Sequence, residues 1–251
     1  MDIPKIINNC THLTNEQRVQ LISLLQNFPQ LFDGILRKYP DSQVHLDIDT
    51  SVPPRATRAC TVPMSQLALF KAELNRLIKA GALEKGTRSE WISGTFIVPK
   101  KDGKARWVSD FRALNTAIRR KVCPLPRTQD ILRRRKNCRH LTKIDLSMCY
   151  YTYELDDASK ELCTIATPFG LCRYKRLPQG ISQSPDIAQE LIEKTLEGIE
   201  GIECYIDDVA IFSDTWDSHL ETLNKVLERL QSHGHAINPK NANGEFKKRT
   251  F

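Results

Sequence analysis

The sequence has no CxxC pair: its eight cysteines, at positions 10, 60, 123, 138, 149, 163, 172 and 204, are scattered. Paired metal-ligand spacing is therefore missing, which argues against a zinc module. A disulfide framework is not expected in a chain of this length, and the thiols read as free, in a reducing compartment. No apolar run approaches the length of a membrane span, and no membrane partner is expected. The opening MDIPKIINNC lacks a basic start followed by an apolar block, so no secretory leader is expected. There is no internal repeat and no low-complexity linker.

What is present is a chain of 251 residues with 40% hydrophobic content, enough for a real core in one large domain or two small ones. The net charge of +7 is unevenly placed. Between Lys100 and Lys143 stand 15 Lys or Arg against 3 Asp or Glu, an excess of +12, so the remainder carries −5. A charge run is often only a solvated face. An excess this large across several elements points to a polyanionic partner, nucleic acid or nucleotide.

Residues 14–28 read as a helix with a Thr14–Gln17 capping box and an apolar stripe of Val19, Ile22, Leu25 and Phe28. Residues 41–62 read as extended. A second helix is predicted over about 65–80, ended by Gly81. From 94 on the pattern changes. A strand, a KDGK turn and a strand cover 94–111, and LPRTQDILRRRK reads as a short basic helix. LTKIDLSMCYYTYEL, ELCTIATP and CRYKRLP read as strands, with turn signals at Asp156-Asp157 and Phe169-Gly170. A helix over SPDIAQELIEKTLEGI, with Ser184 as cap, is followed by a hairpin over CYIDDVAIFS. The last helix is predicted from a Ser218–Glu221 capping box to Gly234. This order predicts an α+β fold, an antiparallel sheet with helices on one face.

The hairpin poses the chemical question, because Asp207 and Asp208 sit inside an otherwise apolar run. Asp-Asp is also an ordinary tight turn. A third acid, Asp145, stands at the end of a neighbouring predicted strand, and the three can converge. Carboxylates that close would raise one another's pKa unless cations join them. Mg²⁺ takes a few carboxylate oxygens and completes its shell with water and substrate phosphates, and a pair of such ions suits in-line phosphoryl transfer. Lys100, Lys101, Lys104 and Arg106 around the KDGK turn could meet a polyphosphate.

At this point the chain resembles a family. YIDD (205–208) is similar to the YxDD box of reverse transcriptases. SEWISGTFIVPKKDGKARWVSDFRALN (89–115), KIDLSMCYY (143–151), ATPFGLCRYKRLPQGISQSPDIAQ (166–189) and SHLETLNKVLERLQSHGHAINPKNANGEF resemble, in order, blocks of gypsy-type LTR retrotransposon and retroviral Pol polymerases. The resemblance runs from about 60 to 246. It implies a right-hand polymerase, with an N-terminal extension over 1–60, mainly fingers over 61–143 and mainly palm over 144–251. Fingers and palm would interleave around 125–165.

The resemblance also implies roles. Asp145, Asp207 and Asp208 would be the catalytic metal ligands for two Mg²⁺, with Mn²⁺ as the alternative ion. Lys100 and Arg106 would meet the triphosphate of the incoming dNTP. Tyr150 would lie under its sugar and exclude a 2′-hydroxyl, and Gln179 would lie against the nucleotide. Tyr205 and Ile206 would line the primer end, and Pro185 would begin a helix near the template. The implied partners are an RNA or DNA template with its primer, dNTPs, and the other Pol domains: thumb, RNase H, integrase and protease. No thumb or RNase H is expected within 1–251, and no protease motif is found.

Two details depart from the family pattern. Ala105 precedes Arg106 and Trp107 follows it, where the family often has Trp before the Arg. Pro178-Gln179-Gly180 stands where many gypsy-type elements read PFG. The expected activity is RNA-directed DNA synthesis. The competing expectation is a truncated relic that only binds nucleic acid, and a third is a related palm enzyme such as a nucleotidyl cyclase.

Overall fold

The computed structural model describes residues 3–8, 10–40, 42–99, 103, 105–124 and 138–238. The predicted basic helix after Pro124, most of the KDGK turn with Lys100, and the segment after Asn238 lie outside the described residues. In chain order the described strands are β1 (Gln43–Val44), β2 (Leu83–Lys85), β3 (Ile92–Pro99), β4 (Ala105–Ser109), β5 (His140–Asp145), β6 (Glu154–Leu155), β7 (Thr164–Thr167), β8 (Gly170–Tyr174), β9 (Ile202–Tyr205) and β10 (Asp208–Ser213). The helices are α1 (Ile3–Asn8), α2 (Asn15–Gln26), α3 (Met64–Lys79), α4 (Arg112–Asn115), α5 (Asp157–Leu162), α6 (Ser184–Thr195) and α7 (Trp216–Ser232).

The chain divides into two compact units, each built from separated segments. One comprises 1–40, 123–149 and 186–251, the other 41–122 and 150–185. The first unit holds an antiparallel sheet in the order β5-β10-β9. Val209 and Ile211 of β10 are fully buried, and α7 contributes Leu223, Val226, Leu227 and Leu230 to the same core. Alternation along a strand then puts Asp208 and Ala210 on the opposite face.

The second unit holds a five-stranded sheet in the order β2-β8-β7-β3-β4. It is mixed, because β3 and β7 run parallel while the other pairs are antiparallel. The expectation of a purely antiparallel sheet therefore holds for β5-β10-β9 and not here. The reason is connectivity: β3 reaches β7 through a long intervening chain, and a parallel pair needs such a crossover. Trp107 is buried in this unit. Its indole Nε1 donates to the Tyr174 hydroxyl (3.0 Å), and its ring lies 4.8 Å from that of Phe70. Its packing within the core accounts for Trp following Arg106.

Several local readings change. The Thr14–Gln17 capping box is present, but Val19 is 67% exposed and Leu21 is the residue α2 buries. Of the expected stripe, Phe28 is buried and Ile22 and Leu25 are half-buried, so only Val19 at its start faces solvent. Asp156 is an N-cap, not a turn: its side chain accepts the Ser159 N–H and starts α5, which runs on through the first two residues of the expected ELCTIATP strand. An acid in extended backbone followed by helix-compatible residues does both jobs. The strand of KIDLSMCYY ends at Asp145, and residues 149–152 form a 3₁₀ turn. α7 is capped by Thr215, which accepts the Ser218 N–H, three residues before the expected cap. Gly234 ends that segment with φ +73°, as expected of a helix-stop glycine.

Candidate active site

Strand register builds the site. Asp208 opens β10 and stands directly opposite Asp145, the last residue of β5. On its other side Asp208 faces Tyr205, the last residue of β9. The two residues left to close the hairpin are Ile206 and Asp207. All three acids therefore meet at one end of one antiparallel sheet, with Tyr205 and Ile206 beside them.

Ile206 has φ +55°, a left-handed conformation that a β-branched residue rarely adopts. Such strain persists only where surroundings hold it. Gln189 of α6, fully buried, supplies the hold. Its side-chain oxygen accepts the Ile206 N–H (2.7 Å) and its amide donates to the Cys204 carbonyl (3.1 Å). The Cys149 thiol donates to the Ile206 carbonyl (3.9 Å).

Asp145 is fixed from the far side. The Asn238 N–H donates to the Asp145 carbonyl (2.8 Å), and the Asn238 amide donates to the Asp145 carboxylate (3.0 Å). The Asp207 backbone carbonyl accepts the Leu146 N–H (2.8 Å), tying the turn to the end of β5. The electrostatics follow from this crowding. The side chain of Asp207 reaches solvent, yet the protein packed around its carboxyl raises its pKa above the ordinary carboxylate value. The charges of Asp208 and Asp145 push it further the same way.

Lys143, two residues before Asp145 on the same face of β5, puts its Nζ 2.8 Å from Asp208 Oδ2. Its pKa is raised, first by that hydrogen bond and then by the charges of Asp208, Asp145 and Asp207. Among the described residues no three His, Cys, Asp or Glu side chains form a ready-made metal cage. The donor set nevertheless suits a hard divalent ion. It consists of carboxylate oxygens at a solvent-open sheet end, and Mg²⁺ completes its shell with water and phosphate.

The other expected site residues belong to the second unit. Arg106 is exposed on β4, opposite Val98 of β3. Tyr150 lies in the 3₁₀ turn, where its carbonyl accepts the Tyr153 N–H (3.2 Å). Tyr150 therefore lies beyond the end of β5, outside any strand. Gln179 is exposed on a turn clamped by Asn115, whose amide donates to the Gly180 carbonyl (2.8 Å) and whose oxygen accepts the Ser182 N–H (2.8 Å). Gly180 has φ +101° and lies against the Phe111 ring, so a side chain there would be strained. Pro185 is in the first turn of α6, and the Ser184 hydroxyl donates to the Pro178 carbonyl (2.7 Å). Ser184 thus ties the helix start to the turn.

The sequence reading missed Lys143, Gln189, Asn238 and Asn115. Lys143 was findable, because a residue two before Asp145 in a strand shares its face. The other three act on groups distant in sequence, which no local pattern announces.

A sheet end with three acids, reached by this strand order, defines a class of protein. Residues 98–245 match the family described as reverse transcriptase (RNA-dependent DNA polymerase). The chain belongs to that family. It is 26% identical to the retrovirus-related Pol polyprotein from transposon 412 of Drosophila melanogaster, over 90% of this chain and 20% of that protein. It is 28% identical to the transposon Tf2-3 polyprotein of Schizosaccharomyces pombe, over 70% of this chain and 13% of that one. Among solved structures it is similar to the foamy viral protease-reverse transcriptase in complex with RNA/DNA hybrid. There the TM-score is 0.87 at 26% identity, covering 95% of this chain and 32% of that one. The same viral protein in complex with dsDNA gives a TM-score of 0.85 at 26% identity, over 96% and 51%. The chain spans about a fifth of the length of the first curated relatives it matches.

Proposed function

We propose that this chain is the fingers-and-palm core of an RNA-directed DNA polymerase, a nucleotidyltransferase that extends a primer with dNTPs. The observation that carries this is the register that sets Asp145 opposite Asp208, with Asp207 in the adjoining turn. Asp145, Asp207 and Asp208 would hold divalent ions. When bound, such ions lower the pKa of the attacking hydroxyl and neutralise charge on the attacking and leaving oxygens.

The residues of the chain do the rest. The Gln189 and Cys149 bonds hold the turn so that Asp207 and Asp208 leave it in fixed directions. Asn238 holds Asp145. Tyr205 and Ile206 offer a surface to the primer end. Arg106 and Lys100 would neutralise the triphosphate, Arg through its fork and Lys as a point charge. Tyr150 would lie under the sugar, Gln179 against the base-bearing nucleotide, and Pro185 at the start of the helix nearest the template. The primer's 3′-hydroxyl gives its proton to solvent as its oxygen attacks the α-phosphorus, the bond to the α–β bridging oxygen breaks, and pyrophosphate leaves.

The template would be RNA or DNA, and the family's other Pol domains would supply the remaining duplex contacts. Most such contacts go to backbone phosphates and carry the affinity. Primer extension on an RNA template with Mg²⁺ and dNTPs tests this reading. It compares the chain, its Asp207→Asn variant and a longer chain that continues into the next Pol domain. Extension by the parent or the longer chain, lost with Asp207→Asn, supports it. Nucleic-acid binding without extension by any folded protein would leave only a binding relic.

A further inference from the structure

Lys143 is paired with one of the three acids, and it is part of the same sheet. It pairs across the strands with Ala210, one alternation away from the Asp145–Asp208 pair, so its side chain shares their face. Diagonal neighbours on a strand pair lie within reach of a long side chain. Its Nζ uses this reach to contact Asp208 Oδ2 at 2.8 Å. Ala210 opposite it is small and leaves the path clear. The same sheet end has no ready-made metal cage among the described residues. These observations belong together, because Asp208 has one of its two oxygens engaged by an ammonium.

We infer that Lys143 is a resident counter-ion of the acidic cluster, one that competes with divalent ions for Asp208 and sets how tightly they bind. This rests on the assignment of Asp145, Asp207 and Asp208 as metal ligands. The ammonium offsets like-charge repulsion while the site is metal-free and must yield the Asp208 oxygen when an ion enters. With more than half of its side chain exposed, Lys143 has solvent to move into. Its charge then stays near the cluster and weakens binding of a second positive ion. Lys143 is thus a positioning residue for Asp208 and a regulator of metal affinity, acting before any nucleotide arrives.

The test is Mn²⁺ binding to the 251-residue chain, followed by the electron paramagnetic resonance signal of the free ion, without nucleotide or primer. A unit charge a few ångströms from a divalent ion at a solvated surface changes its affinity by about tenfold. Lys143→Met and Lys143→Gln should each bind Mn²⁺ about tenfold more tightly than the parent, and Lys143→Arg, which keeps the charge, should stay near the parent. Equal or weaker binding by Met and Gln variants whose circular dichroism matches the parent overturns the inference. In that event Asp207→Asn separates the two ideas. Loss of Mn²⁺ binding in Asp207→Asn leaves the metal assignment standing while the Lys143 role falls. Mn²⁺ binding unchanged by Asp207→Asn, or absent from parent and Lys143 variants alike, overturns the metal assignment together with the role of Lys143.

Discussion

Gln189 accepts the Ile206 N–H at 2.7 Å, and Ile206 is a β-branched residue held at φ +55°. A buried side chain on a helix thus supports a strained backbone in the turn that carries Asp207. Gln189→Met keeps the volume and removes this bond, the one donated to the Cys204 carbonyl and the one donated to Glu193 Oε1 (2.6 Å). It would leave the Ile206 N–H and the Cys204 carbonyl without this partner, a cost of about 1–3 kcal/mol for each group that stays buried. Urea unfolding should show the loss. Nucleotide addition should fall further than stability alone explains, through kcat more than KM. An unchanged kcat in a folded variant would remove Gln189 from this role.

Asp207→Asn should abolish nucleotide addition with little change in fold. The carboxyl already carries a raised pKa from its surroundings and its two acidic neighbours, so removing its charge does not weaken the folded state. Thermal melting checks the fold and primer extension the activity. Extension near the parent rate would refute the metal assignment.

Tyr150→Ala should admit rNTPs by removing bulk beneath the sugar. The dNTP-to-rNTP ratio of kcat/KM would fall while dNTP incorporation persists. A ratio equal to the parent's means that Tyr150 is not the gate.

Stability should fall in mild acid. His219 is buried, with its ring between the Thr142 hydroxyl (2.7 Å) and the Ser213 hydroxyl (3.2 Å). Burial first, and the charge of His140 second, lower its pKa from 6.5 to about 4. His235, buried near His233, is lowered to about 3 for the same reasons. Both histidines fold neutral and charge more readily when unfolded. Their contribution is complete above pH ~6.5 and is lost as pH falls, toward about 4 for His219 and about 3 for His235, at roughly 1.4 kcal/mol per unit for each. Urea unfolding at pH 7.5, 6 and 5 should show this decline, and His219→Gln should flatten it. An unflattened slope would mean that His219 is charged in the native state.

Much of this was legible beforehand, for particular reasons. α3 was expected over about 65–80 and spans Met64–Lys79, because a long amphipathic stripe has one consistent phase. The hairpin of β9 and β10 was legible because two apolar strands flank two turn residues. α5 stands where a turn and the first two residues of a strand are expected, since Asp156 serves a turn or a cap equally well and CTIAT just beyond is strongly β-like. At the start of α2 the expected Val19 is exposed and Leu21 is buried, because both are apolar and only packing tells which one is covered.

The sequence by itself determined the identities and order of the acids, the basic segment and most element types, since these depend on residue chemistry and short-range period. Only the tertiary structure decided the rest. It paired Asp145 with Asp208, brought Lys143 onto Asp208, set Gln189 beneath Ile206 and Asn238 against Asp145, and made one sheet mixed. Those facts turn on strand register and on contacts between residues up to 93 positions apart. A one-residue slip between β5 and β10 would move Asp145 and Lys143 off the face that carries Asp208, and no local propensity distinguishes the two registers.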